Sequence, residues 1–370
     1  MQFIDLKKQY QRIKEDIDAR IHKVLESGLF IMGPEITELE EKLADYVGVK
    51  YCVACSSGTD ALIMPLMALG IGKGDAVFTT PFTFIATAEV ISLLGATPIF
   101  VDIDSDTFNI SPVLLEKEII KVIDEKNLSP RVIIPVDLFG LPANYPEIEK
   151  LAKKYNLVVL EDAAQGFGGR IGSRKACSFG DISATSFFPA KPLGCYGDGG
   201  AVFTNNEDIY ETLKSIRIHG QGKDRYENIR IGINGRLDSI QAAVLLAKLS
   251  IFDDELEKRN LVAARYSKNL SSKLKTPYIP YGYYSCWAQY SVLTNNTENR
   301  NKIQLKLKQN NIPTAVYYPI PLHLQKAFAY LGYQVGSYPI SENIAQRIFS
   351  LPMHPYLNED EIDFISNLIE

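Results

Sequence analysis

The chain has 370 residues, 46% of them apolar and 22% charged, with a formal net charge of −5 and a pI near 5.6. That length accommodates two domains around a sizeable core. No basic stripe offers a footprint for nucleic acid, and the longest apolar run, ALIMPLMALGIG, is too short to span a bilayer and contains a proline.

The opening segment, MQFIDLKKQYQRIK, alternates charged and apolar residues and lacks the apolar centre of a signal peptide. Together with five cysteines (52, 55, 177, 195 and 286), an odd number, this predicts a cytoplasmic protein with reduced thiols. Residues 1–24 are expected as a helix packed on the C-terminal domain. PEITELEEKLADYVG places Ile36, Leu39, Leu43 and Tyr46 on one helical face, with Pro34 at its start and Gly48 at its end. YCVAC follows as a short apolar strand. Its Cys52 and Cys55 have no second pair at zinc spacing, so no metal is expected. SSGTDALIMPLMAL turns into a helix. AVFTT, TPIFVDI, RVIIPVDL and LVVLED are further strands, separated by helical segments such as PEIEKLAKKY. In DIDSDTF, Asp102, Asp104 and Asp106 suggest a calcium loop. The pattern fails, because Thr107 stands where glycine is needed and Val113 where glutamate is needed, so the segment is predicted as a solvated turn. ISATSFFPA and AVFTN add two more strands. Apolar strands alternating with helices predict an α/β fold with a mostly parallel sheet covered on both faces. The large domain is expected over 25–250. RLDSIQAAVLLAKLSIFDDELEKRNLVAARY reads as one long helix or two joined ones. The remainder, 251–370, is expected to be a smaller α+β domain, in which NKIQLKLKQNNIPTAVYY reads as a helix followed by a strand.

Within this frame one residue stands out. In SFFPAKPLGCYGDGG, Lys191 lies between two prolines and ahead of several glycines, with Phe187 and Phe188 before it. A lysine in a tight, partly apolar turn can lose its proton and act as a nucleophile. Three other groups fall at strand ends, where open α/β sheets bind ligands. Ser56-Ser57-Gly58-Thr59-Asp60 begins a helix whose free N–H groups suit a phosphate, or it is a plain N-cap. Asp162 ends LVVLED and Gln165 follows it; the aspartate either caps the next helix or holds a protonated ring nitrogen. Phe82 and Phe84 in TTPFTFIATAE stack on a planar ligand or pack in the core. A phosphate cradle, an aspartate, an aromatic plate and an isolated lysine together describe a site for pyridoxal 5'-phosphate.

At this point the chain resembles the DegT/StrS-type nucleotide-sugar aminotransferases, of fold type I. The resemblance rests on GPEITELEEKLADYVG, SSGTDAL, PFTFIATAE, EDAAQGFGG, SFFPAKPLGCYGDGGA, IRIHGQG, RLDSIQAA and VYYPIPLH, and extends to SLPMHPYL. It implies a seven-stranded-type central sheet and a set of roles. Lys191 bonds the cofactor aldehyde and moves the proton. Asp162 pairs with the pyridine nitrogen, Gln165 with the phenolic oxygen, and Phe84 stacks on the ring. Gly58, Thr59 and Ser186 hold the phosphate, and Asn234 reaches it from the other subunit of a homodimer. Relatives with histidine at the lysine position dehydrate sugars, so Lys191 favours transamination, with L-glutamate as donor. PLGCYGDGGA resembles the branch acting on 3-keto sugars, and within it enzymes for UDP-2-acetamido-2-deoxy-3-oxo-glucuronate, which feed surface-polysaccharide (lipopolysaccharide O-antigen) synthesis. Such a substrate needs cations, and Arg217, Arg225, Arg230 and Arg236 follow the lysine. Arg236 is the preferred substrate contact, with Tyr317, Tyr318 and His323 as further candidates. The alternatives are another nucleotide-linked 3- or 4-keto sugar, or a non-catalytic protein that retains the cofactor fold.

Overall fold

The computed structural model describes residues 1–369. Seven of the apolar runs form one sheet. They are β1 (Tyr51–Cys55), β2 (Asp75–Thr79), β3 (Thr97–Phe100), β4 (Ser129–Ile133), β5 (Val158–Asp162), β6 (Ile182–Ser186) and β7 (Gly200–Thr204), in the order β1-β7-β6-β5-β4-β2-β3. β2 to β6 pair in parallel, and β7 runs antiparallel to both of its neighbours. Every residue of β6 and β7 is buried, which is what strands covered on both faces require.

Helices cover the two faces. The N-terminal helices α1 (Leu6–Arg12) and α2 (Lys14–Ser27) precede α3 (Pro34–Val47), which ends on Gly48 in the left-handed conformation. Leu39 and Leu43 of α3 join one apolar cluster with Leu115 and Ile119 of a later helix and Ile148 of the next. The other face is covered by α4 (Gly58–Ala68) and α5 (Ala86–Leu93), whose Leu62 and Val90 pack on Val132 and Leu160. The later helices of this domain are α6 (Pro112–Glu125), α7 (Tyr145–Tyr155), α8 (Glu207–Arg217) and α9 (Ser239–Leu249). Each of β1, β5 and β6 points its carboxyl end to the same edge of the sheet, so residues 56–60, 162–165 and 186–191 are gathered there.

The expected long helix is two: α9 stops at Leu249 and α10 (Phe252–Leu270) begins after a two-residue break. α10 carries the chain into the smaller domain, whose core joins Tyr266 and Leu270 to β8 (Tyr290–Leu293), α11 (Thr297–Gln309), β9 (Ile348–Leu351) and α13 (Glu359–Leu368). The strand expected after α11 is reduced to one bridge, Ala315 to Ser350. Beyond it, Tyr317 and Tyr318 leave the small sheet and pack beside Phe82 and Phe139. The N-terminal segment divides its contacts. α2 packs on α9 of the large domain through Ile17, Val244 and Ala247. α1 docks on α10, where Gln9 Nε2 donates to Glu255 Oε2 at 2.8 Å and Arg12 pairs with Asp254 at 2.6 Å.

Asp102 corrects the expected solvated turn. Its carboxylate is buried and accepts from the N–H groups of Ile340 and Ser341 at 2.9 and 3.0 Å and from Ser341 Oγ at 2.6 Å. It thereby caps α12 (Pro339–Arg347) and ties the two domains together. Asp104 is half-buried and closes the turn, its Oδ1 accepting from the N–H groups of Asp106 and Thr107 at 3.0 and 2.9 Å and from Thr107 Oγ1 at 3.0 Å, while Asp106 is exposed and paired with Lys275 at 2.6 Å. All five cysteines are buried and unpaired. Among the described residues no helix is long and apolar enough to cross a membrane.

Candidate active site

Lys191 sits in the connection between β6 and β7, in a turn closed by its own N–H donating to Phe188 O at 2.8 Å. Proline on either side denies the segment a helix or a ladder. Burial pulls the lysine pKa down to about 8, although the charges of Asp162 and, less so, Cys286 oppose the shift. The amine is thus within reach of its neutral form at ordinary pH.

Asp162 ends β5 and is 3% exposed. Burial raises its pKa, against the Thr87 hydroxyl, the Ala164 N–H and the charge of Lys191. Thr87 Oγ1 donates to Oδ2 at 2.8 Å and Ala164 N to Oδ1 at 3.1 Å. A carboxylate offers about four acceptor positions, so capacity remains for one more N–H. Thr87 is in turn linked to Thr83 at 3.0 Å. Gln165 is held by two partners: its Oε1 accepts from Phe139 N at 2.9 Å and its Nε2 donates to Tyr318 OH at 3.2 Å. Burial raises the Tyr318 pKa, so the phenol stays protonated.

The two phenylalanines of TTPFTF separate. Phe82 is fully buried core, whereas Phe84 is 56% exposed. The Phe84 ring lies 6.5 Å from that of Tyr318, tilted by 41°. Its exposure sets Phe84 apart from the core-packed Phe82.

The helix α4 begins at this same edge. Ser57 caps it by accepting from Asp60 N at 3.0 Å, and Ser56 bonds Asp60. Gly58 approaches Ser186 so closely that a Cβ would lie 2.6 Å from the Ser186 Cβ. Gly200 lies directly opposite both Cys55 and Ser186 in the sheet, and a Cβ there would meet Ser57 O at 2.4 Å. Thr59 is half-buried on the first turn of α4. The result is a helix N-terminus with unpaired N–H groups, a hydroxyl-bearing strand end beside it and no side chain between them, which suits an anion.

Residues 234–236 reach this edge through the backbone, Ser56 N donating to Gly235 O at 3.1 Å. Asn234 is exposed and accepts from Arg236 Nε at 3.0 Å. Of the four arginines expected near substrate, Arg217 is not available. It is buried at 4% exposure, ion-paired with Glu40 and bonded to Ala54 O at 2.9 Å. Breaking such a buried pair costs about 3–5 kcal/mol, so it holds α8 to β1 instead of meeting a ligand. Arg225, Arg230 and Arg236 are exposed or half-buried. Tyr317 and Tyr318 are half-buried against the site. His323 is turned away: its Nε2 bonds Glu342 at 3.0 Å and its ring packs on Tyr338.

Thr87 and the Gln165–Tyr318 bond escaped the sequence reading. Thr87 lies on the first turn of α5, and no local signal marks its pairing with Asp162, 75 residues away. Nothing local marks the pairing of residues 165 and 318.

The residues present fit pyridoxal phosphate. They supply a lysine of lowered pKa, a buried carboxylate with acceptor capacity to spare, an exposed ring, and a helix N-terminus set against Ser186 with no side chain on Gly58 between them. Comparison with known proteins agrees. A UDP-2-acetamido-2-deoxy-3-oxo-D-glucuronate aminotransferase of Pseudomonas aeruginosa is 48% identical over 368 residues, covering 99% of this chain and 98% of that protein. The crystal structure of a DegT DnrJ EryC1 StrS aminotransferase from Brucella abortus superposes with a TM-score of 0.97 at 50% identity, covering 100% of this chain and 98% of that one. NtdA from Bacillus subtilis, solved with bound cofactor PMP, superposes with a TM-score of 0.86 at 30% identity, covering 97% of this chain and 81% of that one. The model of the DegT/DnrJ/EryC1/StrS aminotransferase family matches residues 11–370, and the chain belongs to that family of pyridoxal phosphate-dependent sugar aminotransferases.

Proposed function

We propose that this enzyme moves an amino group from L-glutamate to the C3 keto carbon of a UDP-linked 2-acetamido-3-oxo-uronic acid, in the cytoplasm, for a bacterial surface polysaccharide of the O-antigen kind. What supports the reading is that the Lys191 amine, in the turn after β6, is within Coulombic reach of Asp162, which with Gln165 lies at the carboxyl end of the neighbouring β5. The substrate follows the Pseudomonas aeruginosa relative, with which the chain is nearly half identical end to end.

When bound, the cofactor supplies an electron sink for the carbon that loses its proton. Lys191 provides the amine that bonds the cofactor aldehyde. Its Nζ would serve as the proton-carrying group, able to take a proton from the glutamate Cα and to deliver one to C3 of the sugar. Such positioned proton transfer contributes roughly 10²–10⁴-fold in rate. Asp162 would pair with the ring nitrogen, and Thr87 and Ala164 donate to it, each favouring its charged form. Gln165, held by Phe139 N, presents its amide to the phenolic oxygen. Phe84 covers one ring face. Gly58, Thr59 and Ser186 bind the phosphate.

The site is completed by a second subunit in this reading. Leu29, Phe30, Ile31 and Met32 form an exposed apolar run. It is bonded to the segment carrying Asn234 and Arg236, through Ser239 N to Phe30 O at 2.8 Å and the bridge of Ile31 to Asp238. An exposed apolar patch of this kind marks a protein interface. In the dimer Asn234 meets the partner's phosphate site, and Arg236 meets the uronate carboxylate or the diphosphate, both of which suit a guanidinium. Tyr317 and Tyr318 line the sugar side; His323, committed to Glu342, supports that wall from behind.

The test offers the holoenzyme glutamate with UDP-2-acetamido-3-oxo-glucuronate, its 3-oxo-glucose counterpart lacking the carboxylate, and dTDP-linked 3- and 4-keto sugars, with products read by mass. Conversion of the uronate at least about tenfold faster than the others is expected, since a lost charged hydrogen bond is worth about 1.5–3 kcal/mol. Preference for a 4-keto or uncharged sugar would sink the assignment.

A further inference from the structure

Helix α9 presents two polar side chains, seven residues apart, to the turn that carries Lys191. Gln241 Oε1 accepts from Tyr196 N at 2.8 Å. Lys248 Nζ donates to Gly194 O at 2.6 Å and lies 4.3 Å from the centre of the Tyr196 ring. Lys248 is 1% exposed, and among the described residues it forms no ion pair. Burial pulls its pKa to about 8, with Glu255 and Cys195 opposing the shift only in part. Glu255 itself is engaged by Gln9 and Tyr356. An ammonium in such a place is expensive where an apolar residue of similar volume would pack. Its one strong contact is the Gly194 carbonyl.

That carbonyl belongs to a turn with little freedom. Cys195 N donates to Phe187 O at 2.8 Å, and Cys195 Sγ to the same oxygen at 3.0 Å. Gly194 is packed so closely that a Cβ would lie 2.6 Å from both Phe188 O and Pro189 O. Fixing Gly194 O fixes the backbone three residues from Lys191. We propose that Lys248, seconded by Gln241, is a positioning residue that clamps the 189–196 turn so that Lys191 Nζ is aimed at the cofactor aldehyde, touching neither cofactor nor substrate itself. The inference rests on the reading of Lys191 as the cofactor-linked amine.

The test compares full-length holoenzyme as wild type, Lys248→Met, Lys248→Arg and Gln241→Ala. Borohydride reduction and peptide mapping come first. A tag on any peptide other than that of Lys191 overturns the underlying reading, and the clamp with it. With the tag on Lys191, Lys248→Met is expected to lower kcat about tenfold or more, since small misplacements of a reacting group are costly. KM for glutamate should stay within about twofold, and the pH midpoint of the cofactor's visible absorbance band should move by about half a unit or more. Lys248→Arg should recover at least about half of the lost rate, because it restores the cation. Wild-type kcat with an unmoved midpoint overturns the clamp, as does a lowered Tm with both unchanged. Should Lys248→Met not fold, Gln241→Ala, a half-buried position of α9 that bonds the same turn, decides. About a threefold loss of kcat with a displaced midpoint supports the clamp, and no change in either refutes it.

Discussion

Asp162 is pulled both ways: burial favours its neutral form, and three neighbours favour the charged one. The Thr87 hydroxyl is the largest of the three, so Thr87→Val removes a hydrogen bond to a charged group worth about 1.5–3 kcal/mol. Both half-reactions should slow roughly tenfold or more, with glutamate turnover of the bound cofactor followed by stopped-flow absorbance; an unchanged rate would free Thr87 from this role. Asp162→Asn should slow both far more, since the ring nitrogen then has no anion at all. Lys191 makes a prediction about stability instead. Its pKa in the folded chain, about 8, lies below its ordinary value of 10.5. Between those values the unfolded chain binds the extra proton, so the folded state gains stability as pH rises. Scanning calorimetry of cofactor-free protein should show wild type gaining on Lys191→Met from pH 8 to 10. A gap that stays flat across that window would mean the amine is not held out of water.

At the scale of elements, the close contact of α4 with β6 is what makes a phosphate cradle possible. Gly58→Ala forces a methyl into Ser186, at a cost of about 1–3 kcal/mol. Pyridoxal phosphate titration by fluorescence should show affinity reduced about tenfold or more, while free pyridoxal, which lacks the phosphate, should be much less affected. The strands and most helices were legible because each is a local pattern: YCVAC, TPIFVDI and LVVLED are short, largely apolar runs, and PEITELEEKLADYVG carries its own start and stop. Lys191 was legible because its proline-flanked setting is wrong for a surface lysine. What escaped depends on distant pairing. A DIDSDTF segment reads as a solvated turn until α12, more than two hundred residues on, offers its first N–H groups to Asp102. Arg217 reads as a substrate cation until Glu40, far upstream, is found beside it. VYY carries strand propensity, yet its tyrosines are drawn to Gln165 and the aromatic wall.

On the scale of the whole molecule, Asp102 joins the segment after β3 to α12, and in the proposed function a partner subunit completes the active site. Asp102→Ala should cost about 1–3 kcal/mol from the N–H groups it strands, read as a lower Tm in thermal unfolding. A wild-type Tm would mean water replaces the carboxylate. The shared site predicts complementation. Lys191→Ala and Asn234→Ala–Arg236→Ala subunits, each inactive alone, should recover about a quarter of wild-type activity when unfolded and refolded together in equal amounts. Half of the dimers are then mixed, with one of two sites intact. No recovery would place both sets of residues in one chain's site.

The chain's first few residues lie at a sensitive place. Phe3 is held by Met353 N donating to its carbonyl at 3.2 Å, and its ring sits 6.4 Å from that of Tyr317. In the proposed function Tyr317 lines the sugar side, so a purification handle fused ahead of Met1 would hang near that wall. Measurements of substrate preference should be made on protein from which any such handle has been cleaved.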